Sequence, residues 1–421
     1  MAFTSTSFRT AARRQHKETM IAFVVNQFPR QVDAYFLREL VGLAREGLDF
    51  SIYSLLPAPS GWKVHEDARQ LLERTIYPSA PGPRLAKGAA QFLRHPGKST
   101  RLAGEIVRGH KSMPNALAKS LAVFPQAMEF STDMQARGVR HLHANWATYP
   151  ATAAMIISRL SGIPFSFSGH ATDIFVHHAM LEEKLAAARF VITCTSFNRG
   201  YLGDKCPEAR EKVETIYHGV DLERFARNGA PREADLILSV GTLRTCKGFD
   251  DLIRSVAILK QRQKSARLEI LGEGEEREAL ENLVRSLGLE KEVSLPGYLP
   301  QEEIIPAYHR AAAVALPAHH EDHFGIPNIL IEGLAASVPV VSTELPSLHE
   351  LIEHEKSGLF VPERNPEALA DALERLLDAP DFAAAIAEEG RRRVARDFDM
   401  RETVRTLAAR FAEADRTGGA D

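Results

Sequence analysis

The sequence is poor in cysteine and has no long apolar run. Its three cysteines, Cys194, Cys206 and Cys246, are scattered over 421 residues and are not spaced as metal ligands. That usage excludes a disulfide framework and favours buried thiols in a reducing, cytoplasmic setting. Residues 1–20 carry positive charge without an apolar core of signal-peptide length, and no later stretch approaches the ~20 apolar residues that a spanning helix needs. We expect a cytoplasmic protein that at most lies peripherally on the inner face of a membrane.

An excess of charge of one sign is also missing. The formal net charge is −3, so the molecule as a whole has no bias toward nucleic acid or an anionic membrane. Its basic segment lacks the interleaved aromatic residues of a nucleic-acid binder. No fixed-period repeat or low-complexity tract is present. With 44% hydrophobic and 25% charged residues, the composition is that of an ordinary globular protein, and the length predicts two or three domains.

Strand and helix patterns alternate twice along the chain. The apolar run 20–28 predicts a buried parallel strand, and a helical pattern and a second apolar run follow it. A loose polar segment at 226–234 separates this alternation from a second one that starts at 236–242. We predict two tandem Rossmann-like, doubly wound α/β domains facing a cleft, with ligands at the carboxyl ends of the strands. The predicted parts are an N-terminal tail at 1–19, a first domain at 20–228, a second domain at 229–400 and a last helix at 401–421.

The segment from about 81 to 120 interrupts the first alternation with helical pieces and a basic bias. It contains eight lysines and arginines but a single acidic residue, Glu105. The basic residues are Arg84, Lys87, Arg94, Lys98, Arg101, Arg108, Lys111 and Lys119. We predict a helical insertion whose basic face, over 84–119, is either simply solvated or contacts an anionic membrane or an anionic acceptor.

The first candidate site follows the first strand of the second domain. That strand ends at Gly241, a helix follows, and Arg244 and Lys247 lie in the turn between them. Free amides at a helix start together with two cations form an anion site, and phosphate is the obvious ligand. Gly272 and Gly274 occupy the corresponding turn after the next strand. A lone Gly-x-Gly is a weak signal that fits either a tight turn or a phosphate contact.

A second candidate lies in the stretch HHEDHFGIPNILIEG, residues 319–333. Gly325 and Pro327 predict a turn into a helix, because proline suits the first helical position. Glu332 lies five residues further on, where its carboxylate either holds sugar hydroxyls or simply faces solvent. The charged residues at 319–323 have the side chains of metal ligands, but adjacent residues rarely converge on one ion. We therefore predict no metal site here.

A third candidate lies in the stretch FSFSGHATDIF of the first domain. His170 and Asp173 follow a predicted strand, at the end where ligands bind in such sheets. A lone histidine is more often structural, but a histidine and an aspartate three residues apart can meet on one helical turn. We predict that both residues belong to the site.

Six stretches together resemble the retaining glycosyltransferases of family 4, which have the GT-B fold. They are FPRQVDAYFLRELVGLAREG, FSFSGHATDIF, YHGVDLERF, VGTLRTCKGFDDLIRS, GEGEEREALENLVRSLGLEKEVSLPGYLP and FGIPNILIEGLAASVPVVST. The likeness runs in order over residues 20 to 400. Within that family, the sequence is most similar to the branch that builds exopolysaccharides of the colanic-acid type.

The resemblance implies transfer of a hexose-type sugar, with retention, from a UDP- or GDP-linked donor in the second domain to a glycan or polyprenyl-linked acceptor in the first. It implies no cofactor and no required metal. The implied catalytic residues are His170 at the donor sugar and Lys247 with Arg244 at the diphosphate, while Glu332 would hold the ribose hydroxyls. The predicted substrate-binding residues are Asp173, Gly241, Thr242, Gly272, Gly274, Phe324, Gly325, Ile326, Pro327, Asn328 and Glu332.

Two residues depart from the family pattern. Thr242 stands where the family usually has arginine, and Phe324 stands where it usually has the first of two acids that end at Glu332. Two alternatives therefore stay open. One is a sugar-nucleotide-binding protein of the same fold with weakened catalysis, and the other is a nucleotide-sugar epimerase, which would convert donor without any acceptor.

Overall fold

The computed structural model describes residues 21–29, 34–58, 66–111, 113–227, 229, 231–320 and 325–417. Two alternating groups of strands and helices, followed by one long helix, make up these residues. The first group comprises β1 (Ile21–Val25), α1 (Ala34–Arg45), β2 (Phe50–Ser54), α2 (Glu66–Leu72), β3 (Thr75–Ile76), α3 (Pro81–Arg94), α4 (Pro96–Gly109), α5 (Pro114–Ala122), α6 (Phe124–Ala136), β4 (His141–Asn145), α7 (Tyr149–Ser161), β5 (Phe165–Gly169), α8 (Ala171–Phe175), α9 (Leu181–Ala187), β6 (Val191–Thr193), α10 (Ser196–Lys205) and β7 (Val213–Thr215). The second comprises β8 (Leu236–Val240), α11 (Phe249–Gln261), β9 (Arg267–Leu271), α12 (Arg277–Ser286), β10 (Val293–Gly297), α13 (Gln301–Arg310), β11 (Ala313–Leu316), α14 (Asn328–Ala335), β12 (Val340–Thr343), β13 (Leu359–Val361), α15 (Pro366–Asp378) and α16 (Pro380–Asp397), and the long helix is α17 (Met400–Thr417).

Each group of strands forms one parallel sheet. The first sheet has seven strands in the order β3-β2-β1-β4-β5-β6-β7, and the second has six in the order β10-β9-β8-β11-β12-β13. The direction of strand addition reverses between β1 and β4 in the first sheet and between β8 and β11 in the second. Ligands of such sheets bind at these switch points, outside the carboxyl ends of the strands. The predicted fold, two Rossmann-like α/β domains, is confirmed.

The strands are apolar because helices cover both faces of each sheet, as in β1, where all five residues are buried. Strands β4 and β5 are exceptions that carry buried polar side chains. His143 lies between two serines, with its Nδ1 2.7 Å from Ser166 Oγ and its Nε2 2.9 Å from Ser168 Oγ. His141 Nε2 also lies 2.7 Å from Ser166 Oγ. These contacts satisfy polar groups that would otherwise destabilise the core.

The segment of the predicted insertion, 81–120, contains helices α3, α4 and α5, and helix α6 follows it. Pro81, Pro96 and Pro114 each begin a helix, where the missing N–H costs nothing. Helix α3 packs on α6, and Lys87 Nζ donates to the buried Glu129 carboxylate at 2.7 Å. This ion pair thus neutralises one of the positive charges of the basic face. Within the described ranges, no helix combines the length and the apolarity that crossing a bilayer requires.

The chain crosses between the two sheets at two adjacent segments. Val220 N donates to Phe398 O at 2.8 Å, and Met400 N donates to Val220 O at 3.1 Å. Strand β7 ends at Thr215, and the segment after it forms this crossing. Helix α17 then packs on the first domain through four buried residues that share a core with β1 and β2. These residues are Val404, Leu407, Phe411 and Ala414.

Candidate functional site

The two predicted halves of the site lie against each other. Gly325, in the turn before α14, faces Ala171 at the start of α8, so that a Cβ on Gly325 would be 3.8 Å from the Cβ of Ala171. Ser347 Oγ donates to Gly325 O at 3.1 Å and holds the turn from its own domain. The start of α14 therefore lies beside His170, at the carboxyl end of β5. This contact joins a loop of the second domain to the third candidate of the first domain.

The turn after β8 has the arrangement that its sequence predicts. The strand ends at Val240, one residue before the predicted Gly241, a single 3-10 turn covers Thr245–Lys247, and α11 begins at Phe249. Arg244 is half exposed, with its Nε 3.9 Å from Glu275 Oε1. Burial lowers the pKa of Lys247, and the nearby Arg244 charge lowers it further. A cation that is partly removed from water beside a second cation gains most from an anionic ligand.

Gly272 and Gly274 allow the backbone of the turn after β9 to pack directly on the backbone of the turn after β8. A Cβ on Gly272 would lie 1.9 Å from Gly241 O, and one on Gly274 would lie 2.2 Å from Leu243 O. The loops are also joined by the hydrogen bond from Leu243 N to Glu273 O at 2.9 Å. These two glycines thus shape the turn after β8 by letting the neighbouring turn pack on its backbone.

The turn at 325–328 leads directly into α14. Pro327 is in an extended conformation and precedes the helix, which begins at Asn328, one residue later than predicted. Its carbonyl nevertheless accepts a hydrogen bond from Leu330 N at 3.1 Å. Ile326 packs against the core of the second domain. The predicted Phe324 and the adjacent acids at 321–322 lie outside the described residues.

Glu332 lies inside the cleft and contacts both domains. Its Oε2 accepts a hydrogen bond from Tyr308 Oη at 2.9 Å, and its Oε1 lies 3.7 Å from a guanidinium nitrogen of Arg38 on α1. The Glu332 and Arg38 side chains are 14% and 15% exposed. Burial raises the pKa of Glu332, and the Arg38 charge opposes that rise. The alternative of a solvent-facing Glu332 is thereby excluded, while its role in ribose binding stays a prediction.

His170 is surrounded by rings at the carboxyl ends of the first sheet. Its ring centroid lies 5.5 Å from that of Tyr35, 5.1 Å from that of His218 and 6.4 Å from that of Trp146. Both ring nitrogens of His170 are buried and have no hydrogen-bond partner among the described residues. Burial, and then the nearby His218, lower the pKa of His170. The neutral imidazole therefore keeps a donor and an acceptor for a ligand.

Asp173 and His170 meet as predicted, but through the backbone. Asp173 Oδ1 accepts from His170 N at 2.8 Å, and its other oxygen accepts from Ala147 N. Burial raises the pKa of Asp173 to about 7, although these backbone contacts act in the opposite direction. Because both oxygens already have partners in the protein, the geometry gives Asp173 a positioning role. It fastens the turn after β5 to the turn after β4.

Sequence reasoning missed several residues that line this part of the cleft. Trp146 has a left-handed backbone, with φ 89°, at the end of β4. Such a conformation is an outlier for a bulky residue and marks a turn that its surroundings hold in place. Burial lowers the pKa of His218, but hydrogen bonds with Cys194 and Glu39 outweigh it and raise that pKa to about 10. The signal available from the sequence was the position of Trp146 directly after a strand pattern, at the end where ligands bind in such sheets.

The charged run that begins at 319 has a structural use where it is described. His319 Nε2 lies 3.0 Å from Asp251 Oδ2, and both side chains are buried. His319 N also donates to Cys246 O at 2.9 Å, which ties the end of β11 to the turn that carries Lys247. His320 N donates to Glu363 Oε1 at 2.9 Å.

A second interdomain contact lies on one side of the cleft. Glu350 of the second domain accepts from Ser196 N at 2.7 Å and from Phe197 N at 2.9 Å, the free amides at the start of α10. Tyr217 Oη donates to the same carboxylate at 2.7 Å. A carboxylate at a helix N-terminus is a favourable arrangement. The two domains are therefore joined by Glu350 and by the Arg38–Glu332 pair.

Two Rossmann-like domains facing a cleft form the GT-B architecture, and comparison with known proteins identifies the class as the glycosyltransferases. Residues 34–224 match the profile described as Glycosyltransferase Family 4, and residues 221–393 match the one described as Glycosyl transferases group 1. The chain is 34% identical to the amylovoran biosynthesis glycosyltransferase AmsK of Erwinia amylovora over 406 residues, which cover 92% of this chain and 98% of that protein. The chain belongs to this glycosyltransferase family.

Two further comparisons are more limited. The chain is 35% identical to the putative colanic acid biosynthesis glycosyltransferase WcaL of Escherichia coli over 211 residues, about half of each protein (48% and 51%). The crystal structure of Anabaena Alr3699/HepE in complex with UDP superposes with a TM-score of 0.68, covering 94% of this chain and 100% of that one. At 16% identity, that likeness shows the fold alone.

Proposed function

We propose that this protein transfers a hexose-type sugar, with retention, from a UDP- or GDP-linked donor to a glycan or polyprenyl-linked acceptor in the synthesis of an exopolysaccharide or other cell-surface polysaccharide. The observation that carries the proposal is the contact between Gly325 and Ala171. It brings a helix start of the second domain beside His170 of the first, so that one small ligand can touch both. The names of AmsK and WcaL support the pathway class.

In the proposed donor complex, Lys247 and Arg244 bind the diphosphate, and the backbone amides of Gly325, Ile326 and Asn328 bind the sugar or the nearer phosphate. Glu332 binds the ribose hydroxyls. The bond from the anomeric carbon to the diphosphate oxygen breaks, and negative charge grows on the leaving nucleotide. Fixed cations stabilise this charge without reorganisation. The acceptor oxygen bonds to the same face of the anomeric carbon, and its proton passes to a phosphate oxygen of the leaving group. We propose that no metal ion is required.

His170 faces the reacting sugar in this proposal. Its unpartnered, buried ring nitrogens can hydrogen-bond the donor sugar, and its neutral state avoids repulsion with a positively charged oxocarbenium-like transition state. Trp146 and Tyr35 lie beside it and exclude water from the sugar, which limits hydrolysis.

We place the acceptor in a cavity of about 450 Å³ between the insertion, helix α7 and the segment that joins α8 to α9. It opens next to the turn that carries Trp146, and its lining combines apolar and basic side chains. Among them are Met113, Lys119, Tyr149, Val176 and His177. A mixed lining of this kind suits a carbohydrate attached to a lipid carrier.

Helix α3 is the proposed contact with an anionic membrane. Leu85 and Leu93 are 60% and 78% exposed on this helix, and the exposed Arg94 lies next to Leu93. Exposed apolar side chains beside basic ones are typical of a helix that lies in the membrane interface. Co-sedimentation with vesicles rich in anionic lipid should decrease for Leu93→Glu and for Arg94→Glu. Equal sedimentation of both variants and the parent protein would exclude this helix.

The transferase proposal is tested in two steps. A thermal-shift screen of UDP- and GDP-sugars identifies the donor, because a ligand that binds only the folded state raises its stability. The nucleotide sugar that raises the melting temperature most is then incubated with lipid-linked glycan acceptors, and NMR of the product reports the anomeric configuration. Transfer with inversion refutes the retaining mechanism. Isomerisation of the donor without an acceptor identifies an epimerase, and binding without transfer or hydrolysis identifies a binding protein.

A further inference from the structure

A second set of contacts surrounds His170. His170, Cys194 and His218 each bring one potential metal-ligating atom to within 4.8 Å of the other two. They follow β5, β6 and β7, three neighbouring strands, so the sheet topology itself brings them together. Sequence spacing does not reveal this cluster, because its members are 24 residues apart in each interval and come from separate strand ends.

The surroundings of the cluster favour a metal ligand role. Glu39 Oε1 lies 3.0 Å from His218 Nδ1, which leaves Nε2 of that ring as the ligating atom. A carboxylate behind a histidine is the common way in which proteins orient a metal-binding imidazole. The two nitrogens of His170 are buried and without partners among the described residues. An unpaired buried polar group is costly, so the site gains from any ligand that pairs with it.

We propose that His170, Cys194 and His218 bind one thiophilic divalent cation, represented by Zn²⁺, and that the bound ion inhibits the enzyme. Two imidazoles and a thiolate match Zn²⁺ chemistry and leave a fourth position open to water. Mg²⁺ and Mn²⁺ prefer oxygen ligands and should not occupy this site. Binding displaces the thiol proton of Cys194 and any proton on Nε2 of His218, while the Nδ1 proton stays in the hydrogen bond with Glu39, so protons are released. The inhibition, unlike the binding, rests on the role proposed for His170 in transfer.

A cluster of Asp250, Asp251 and His319 is the other group within the described residues whose ligand atoms lie this close together. There His319 and Asp251 already pair with each other at 3.0 Å. That pairing fixes the turn after β8. Unlike His170, none of these three residues has a buried side-chain atom without a partner, so nothing here points to a bound ion.

The binding arm of the test uses the full-length protein and competition for Zn²⁺ with a chromophoric chelator. We expect one tight site per chain. Glu39→Gln should weaken it about 10–100-fold, as expected when a residue behind a metal ligand is changed. Cys194→Ser should weaken it more, because it removes the soft ligand. Cys206→Ser is the matched control, since that buried thiol lies near Glu182 O and outside the cluster, and it should bind like the parent protein.

A spectroscopic arm keeps the proposal testable if Cys194→Ser does not fold. Co²⁺ bound by the parent protein should show thiolate-to-metal charge-transfer absorption, which reports cysteine ligation directly. The absence of a Zn²⁺ site, unchanged binding by a folded Cys194→Ser variant, or bound Co²⁺ without this absorption would each overturn the proposal. In the activity arm, Zn²⁺ should inhibit transfer and a chelator should restore it. Failure of the transferase proposal would leave the binding result intact.

Discussion

Lys184 gives a sharp test of how the site is held in place. Its side chain is 1% exposed, and its Nζ donates to Ala147 O at 2.7 Å, Ala179 O at 2.8 Å and Thr148 O at 3.1 Å. Burial lowers the pKa of this ammonium to about 7, against the attraction of Asp173. Lys184→Met keeps the length of the side chain and removes all three donors. Two fully buried carbonyls then lose their partner at ~1–3 kcal/mol each, so the free energy of unfolding should fall by about 2–6 kcal/mol.

Urea denaturation followed by circular dichroism measures this loss, and turnover is measured under conditions where the variant stays folded. Turnover should fall on the order of 10²-fold, because Ala147 and Thr148 belong to the turn beside His170 and small displacements of reacting groups have effects of that size. Lys212→Met is the matched control: its Nζ also donates to two carbonyls, at 3.0 and 3.3 Å, but the side chain is partly exposed. A change within about 0.5 kcal/mol for Lys184→Met, the range of ordinary surface substitutions, would refute the reasoning.

Three further predictions concern the donor half of the site and the core. Lys247→Ala should lower kcat about 10²–10³-fold, as for other single groups that stabilise transition-state charge. The control Lys260→Ala removes an exposed pair with Glu292 and should leave kcat unchanged. Near-normal turnover of Lys247→Ala excludes a role of Lys247 in stabilising the diphosphate. Glu332→Ala should raise the donor Kd more than it lowers kcat, measured by calorimetry and initial rates, and an unchanged Kd contradicts ribose binding. Burial lowers the pKa of His143 to about 3 and that of His141 well below 6.5. The unfolded chain therefore binds more protons than the folded chain as pH falls below about 6.5, so the urea midpoint of the parent protein should decrease there. The midpoint of His143→Asn should decrease less steeply with falling pH. Equal dependence of the two midpoints on pH would contradict this assignment.

The fold could be predicted from the sequence because its strands are apolar on both faces and alternate with helical patterns. The turn after β8 was also predictable, since Gly241, Arg244 and Lys247 are local in sequence. The surroundings of Glu332 were not, because Arg38 and Tyr308 reach it from other elements. A local pattern specifies which residue ends a strand but not which distant side chains meet it. The polar residues of β4 and β5 likewise gain their partners only when the two strands pair.

The positions of the ligand-facing groups in this cleft depend more on the contacts that fix the turns than on which side chains the turns carry. Asp173 and Lys184 satisfy the backbone of the turn after β4 with a carboxylate and an ammonium. Buried polar groups of this kind add little net stability but restrict the backbone to one arrangement, because every alternative leaves a charge unpaired. In the second domain Gly272 and Gly274 achieve a similar restriction by close backbone packing. The first domain is thus sensitive to loss of a polar partner, and the second to any added side-chain atom.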